Sequence, residues 1–146
     1  MAKPVVGLVE KVKIVGKKGS VETLAKFDTG ASNNSIDFKI AAEAGVGPVV
    51  SSAKIKSACA QKGYKRRPVV DATIEIKGKE YETKANLGDR EHMKYKVLIG
   101  RELIHKNFSI DVSKSHKDIA EDELRHYVEK KAGIELGKFK VEENNE

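Results

Sequence analysis

Asp28, Thr29 and Gly30 follow the strand-like run Ala25, Lys26 and Phe27, and Ala31 comes directly after them. An aspartate leaving a strand into a tight turn, backed by a hydroxyl and a glycine, can aim its carboxylate out of the sheet. Glycine there lets the backbone approach closely. The triplet occurs once in 146 residues. Chemistry in which two carboxylates share a proton and activate a water needs two such aspartates close together. A single copy therefore points to a symmetric dimer whose site is built from two chains. Taken alone, the triplet is also an ordinary surface turn in which Asp28 is a turn-forming residue and nothing is cut.

A second element raises the odds of chemistry. Val97, Leu98, Ile99, Gly100 and Arg101 open into Glu102, Leu103 and Ile104. Two apolar residues, a glycine and a helical turn form the stretch that packs under the active-site loop of retroviral-type aspartic proteases, and on these residues the chain resembles a retropepsin-like protein. More narrowly, it is similar to the small single-domain family labelled ATP-dependent zinc proteases, which is associated with glutamate-ligating ATP-grasp enzymes. The resemblance is carried by Val6 to Val12, Lys26 to Ser35, Arg67 to Val70, Asp89 to Met93 and Val97 to Leu103, in the expected order over residues 5 to 113.

The resemblance implies an all-β, closed retropepsin-like barrel (the acid protease fold), with one short helix after the Val97–Gly100 strand, over residues 1–116. It implies a homodimeric aspartic endopeptidase in which Asp28 is catalytic and Thr29, Gly30, Ala31 and Arg101 support the loop. Thr29 would hydrogen-bond across the dimer axis, and Arg101 would brace the loop by pairing with an acidic residue. A flap is expected over Ser57 to Arg67, with Gly63 and Tyr64 as candidate substrate contacts. The net basic charge and the family association point to acidic or glutamylated peptides as substrates and to an ATP-grasp ligase as an associated protein. The alternative is a non-catalytic dimeric module of the same fold that binds a peptide or the ligase.

The residue pattern agrees locally with a β-rich chain. Residues 5 to 14 read as a strand, Gly16 to Ser20 as a turn, and Val21 to Phe27 as the returning strand that delivers Asp28. Ile40, Ala41 and Ala44 would share one face of a short helix within residues 37–45, which Gly45, Gly47 and Pro48 end. Val69–Ile76 and Glu80–Leu87 form a hairpin joined at Lys77, Gly78 and Lys79. Tyr95–Ile99 reads as a buried strand, and Gly100 permits close backbone packing behind it. Phe108, Ile110 and Val112 alternate with polar residues as a last core strand. From Asp118 to Lys131 the period becomes helical, so residues 117–146 form a helix-and-tail extension stopped near Gly133.

Composition narrows the remaining classes. One domain with an apolar fraction of 39% can build a modest core. No apolar run approaches bilayer length and no signal-like segment opens the chain, so a cytoplasmic location is expected, without membrane association. The formal charge of +6 comes mostly from lysines, with 5% aromatics and no Trp. That is a solubility pattern and not a base-stacking surface, so nucleic acid is not expected as a partner. Cys59 is a lone thiol. His92, His105, His116 and His126 are widely spaced with no His-Glu-x-x-His, which gives no metal site, and no glycine-rich phosphate loop supports ATP binding. Asp89, Arg90 and His92 read as a solvated loop. No cofactor is expected.

Overall fold

The computed structural model describes residues 2–56, 63–114 and 133. Its strands are β1 (Val5–Val6), β2 (Val9–Gly16), β3 (Gly19–Phe27), β4 (Asn34–Asp37), β5 (Val49–Lys56), β6 (Tyr64–Ile76), β7 (Lys79–Gly88), β8 (Val97–Ile99) and β9 (Ser109–Ile110). Two short helices, α1 (Phe38–Ala44) and α2 (Arg101–Ile104), interrupt them. The 117–146 extension falls outside the described residues apart from Gly133. No helix among the described residues is long and apolar enough to cross a membrane.

Local chemistry sets the hairpins. In β6, Val70, Ala72, Ile74 and Ile76 are all buried, a strict period of two that commits one face to the core. The chain reverses at Lys77 and Gly78, both at positive φ (51° and 80°), before β7 returns with Ile76 opposite Lys79. Two consecutive left-handed residues are what a two-residue hairpin turn requires. β2 and β3 pair from Val9↔Lys26 to Gly16↔Gly19.

These hairpins close into a ring. β3 runs parallel to β8, β8 antiparallel to β4, β4 parallel to β7, β7 antiparallel to β6, and β6 returns to β2 through Val12↔Ile76 and Ile14↔Ile74. A closed six-strand barrel results, as expected from the resemblance, and closure leaves these strands no free edge. Inside, the Phe108 ring lies edge-on to Phe27 at 5.7 Å and beside Tyr81 at 4.9 Å, geometries that aromatic quadrupoles favour. β5 stays outside the ring, paired only with β6, so the β5–β6 hairpin reaches beyond the barrel.

Three expectations need correction. Residues 5–14 are two strands and not one: the chain breaks at Gly7, where a Cβ would lie 2.1 Å from the Lys114 carbonyl oxygen, and the Leu8 amide donates to that same oxygen at 2.9 Å. Val5 and Val6 instead pair in parallel with Ser109 and Ile110. Val112 is 69% exposed and outside the core, because the chain turns at Asp111, whose carbonyl accepts the Lys114 amide. β6 begins at Tyr64 rather than Val69, so Arg66 and Arg67 belong to its strand.

Candidate active site

Strand pairing builds the site. Because β3 and β8 run in parallel with Phe27 opposite Ile99, the residues that follow, Asp28 and Gly100, leave the barrel side by side. The Asp28 amide donates to the Ile99 carbonyl at 2.8 Å, which fixes the start of the loop. The loop then folds on its own aspartate: the Gly30 amide donates to Asp28 Oδ1 at 2.8 Å and the Ala31 amide to the Asp28 carbonyl at 3.2 Å. One carboxylate oxygen is thereby oriented by backbone, and the half-exposed side chain keeps Oδ2 for other partners.

Gly100 lets the two segments meet. A Cβ there would lie 2.4 Å from the Asn33 carbonyl oxygen and 2.9 Å from that of Ala31. The Arg101 and Glu102 amides donate to the Ala31 and Ser32 carbonyls at 2.8 and 3.1 Å. The first turn of α2 thus satisfies its free amides with the loop. Arg101 adds its guanidinium, donating to the Thr29 carbonyl at 2.8 Å and to Ser32 Oγ at 3.0 Å. Among the described residues its partners are a carbonyl and a hydroxyl in place of the expected acid. The planar donor fork of Arg101 matches two acceptors on one loop.

Beneath the loop lies a residue that the sequence does not single out. Asn34 is fully buried; its Oδ1 accepts from the Gly100 amide at 2.9 Å, and its Nδ2 donates to Thr83 Oγ1 and the Lys84 carbonyl. It ties β4 to β7 and to the end of β8. No local signal separates such an asparagine from a turn residue.

Between this loop and the β5–β6 hairpin runs an open groove of about 440 Å³. Gly30 and Ala31 line one side and Tyr64 the other, so that flap candidate stands over the same space. Gly63 precedes it at φ 74°, and residues 57–62 of the expected flap lie outside the described residues. Arg90 also lines the groove and corrects the expectation of a solvated loop, since it is only 7% exposed. Asp89 and His92 are exposed. Burial, and next the positive charge of Arg67, push the Arg90 guanidinium below its usual range, while Asp37 opposes the shift. It stays a cation, as arginine does in proteins.

Among the described residues no three His, Cys, Asp or Glu side chains converge in a way that could hold a metal. His116, His126 and Cys59 lie outside them.

Comparison with known proteins decides the family. The RimB-like family, described as retropepsin-like aspartic endopeptidase RimB, matches residues 40–121. The chain belongs to this family. The matched stretch holds Arg67, Arg90 and Arg101, and it begins after the Asp28 loop. Among solved structures, a protein of unknown function from Legionella pneumophila is 22% identical with a TM-score of 0.53, covering 80% of this chain and 98% of its own. The EIAV protease complexed with the inhibitor HBY-793 is 18% identical with a TM-score of 0.52, covering 66% of this chain and 83% of its own. At these identities the likeness speaks to the fold. No curated protein matches the chain in sequence.

Proposed function

We propose that two copies of this RimB-like chain form a symmetric aspartic endopeptidase in which the Asp28 pair activates one water. The observation that carries this reading is the lone, backbone-oriented Asp28 on an exposed loop beside a peptide-sized groove. Thr29 and Gly30 are exposed, so the outer face of the loop is open to a second copy. Two like charges brought together cannot both ionise cheaply, so one proton is shared. The protonated carboxyl polarises the scissile carbonyl while the ionised one takes a proton from water. This is the general scheme for aspartic proteases. Arg101 acts as a positioning residue by holding Thr29 and Ser32. The substrates proposed are acidic or glutamylated peptides, supported by the cations along the groove: Lys54, Lys56, Arg67 and Arg90.

Purified protein is expected to cleave oligoglutamate peptides, and Asp28→Asn to abolish cleavage while leaving the dimer intact by sedimentation. Cleavage surviving that substitution contradicts the mechanism. The same basic groove, independent of Asp28, favours a second reading as a non-catalytic module that holds an acidic peptide or docks on a glutamate ligase. Tight peptide binding without turnover from acid to neutral pH supports it.

A further inference from the structure

Arg67 and Arg90 arrive in the groove from distant parts of the chain, and among the described residues neither makes an ion pair there. Arg67 projects from β6 over the backbone of Gly88, where a Cβ would lie 2.9 Å from its Cζ. Its NH1 donates to Asn86 Oδ1 at 3.3 Å, an oxygen already bound by Ser35 Oγ at 2.7 Å. Its Nε is buried with no acceptor. Arg90 is held by three tethers: its amide donates to Asp37 Oδ1 at 2.8 Å, its Nε donates to the Tyr95 carbonyl at 3.1 Å, and its own carbonyl accepts from Lys96 Nζ at 3.2 Å.

The nearest carboxylate, Asp37, supports the Arg90 charge from a distance but makes no direct contact with either guanidinium. Both Asp37 oxygens accept backbone amides, Oδ1 from Arg90 and Oδ2 from Lys39 at 3.1 Å. None of the ion pairs among the described residues includes Arg67 or Arg90. Placing the buried Arg90 and the half-buried Arg67, with its enclosed Nε, near one another is costly unless something negative joins them. Perturbed charges in a cleft are a recurrent mark of functional sites, and an anionic ligand would supply the charge this pair lacks. Burial first, and then the charge of Arg67, lower the Arg90 proton affinity, against the opposing charge of Asp37.

We propose that Arg67 and Arg90, with Asn86, form a specificity subsite that binds one anionic oxygen group on a side chain of the groove-bound peptide. This rests on the groove being the peptide site. A carboxylate and a phosphate both offer the paired oxygens that a guanidinium fork recognises. Lys54 and Lys56 contribute a diffuse attraction, whereas the arginines select at one position.

The test uses the full-length Asp28→Asn protein, so that binding is read without turnover, and three labelled peptides: oligoglutamate, oligoglutamine, and oligoglutamine carrying one phosphoserine. Oligoglutamate is expected to bind roughly tenfold to a hundredfold tighter than oligoglutamine, the range for one charge-assisted contact. Arg67→Gln removes most of that preference. Gly88→Ala does the same while keeping the charge, because its methyl group displaces the Arg67 head and leaves the barrel backbone alone. A phosphoserine preference lost in the same variants supports the subsite and assigns it to phosphate. Equal binding of the three peptides overturns the proposal, as does a preference that survives both variants and vanishes in high salt, which would assign it to the diffuse lysine field. If the subsite is present and the wild-type protein cleaves nothing, only the protease reading fails. If the wild type cleaves oligoglutamate and oligoglutamine equally, only the subsite fails.

Discussion

Gly100→Ala puts the packing of the active-site loop to a quantitative test. The added methyl would lie 2.4 Å from one backbone oxygen and 2.9 Å from another. Backbone cannot swing aside as a side chain does. Relief requires parting the loop from β8 and α2, and that loosens the Gly100 amide bond to Asn34 and the Arg101 amide bond to Ala31. Overpacking of this kind costs about 1–3 kcal/mol, and each lost hydrogen bond about 0.5–1.5 kcal/mol. The expected destabilisation is therefore about 2–6 kcal/mol, a large part of the roughly 5–15 kcal/mol that holds a domain together. Urea unfolding should show a lower midpoint, and thermal unfolding a drop of roughly 10 °C or more.

Gly30→Ala supplies the contrast. Its Cβ would lie 3.1 Å from Asp28 Oδ1, a side-chain atom, so stability should change by about 1 kcal/mol or less while the carboxylate shifts and activity falls. An unfolding midpoint for Gly100→Ala equal to that of the unsubstituted protein would refute the reasoning.

Other outcomes follow from single contacts. Arg101→Met removes both donors to Thr29 and Ser32; these bonds are exposed, so the unfolding free energy should fall by only about 1 kcal/mol, while kcat/KM on oligoglutamate drops roughly tenfold to a hundredfold because the loop loses its position. The Ser113 hydroxyl and amide hold the Asp111 carboxyl below its usual range. A folded value lower than the unfolded one stabilises the turn above the ordinary carboxylate range, and that stability is lost as pH falls through the lowered value. Hydrogen-exchange protection at the Leu8 amide, which bonds the Lys114 carbonyl, should fall, relative to the intrinsic rate at each pH, only below the ordinary carboxylate range. Ser113→Ala should move that onset to higher pH.

The parts of the fold written in local periodicity were legible. The alternation in β6 and the Lys77–Gly78 reversal fix one hairpin, Gly16 and Gly19 another, and the buried Ala41 and Ala44 lie on the expected face of α1. Asp28 stood out because a strand delivers it into a turn. What stayed hidden depends on long-range pairing. Arg90 looks like a solvated charge until Asp37 and Tyr95 are known to surround it. Asn34 looks like loop until Gly100 and Lys84 meet it. Charge pairing, the simplest rule, points to an acid as the partner of Arg101, yet backbone carbonyls carry no signature in a sequence.

Wild-type and Asp28→Asn chains, mixed and allowed to exchange subunits, test the central claim most directly. If every working site takes one aspartate from each of two chains, peptidase activity follows the square of the wild-type fraction. Activity that falls in direct proportion to that fraction would mean each chain works alone, and would contradict the account.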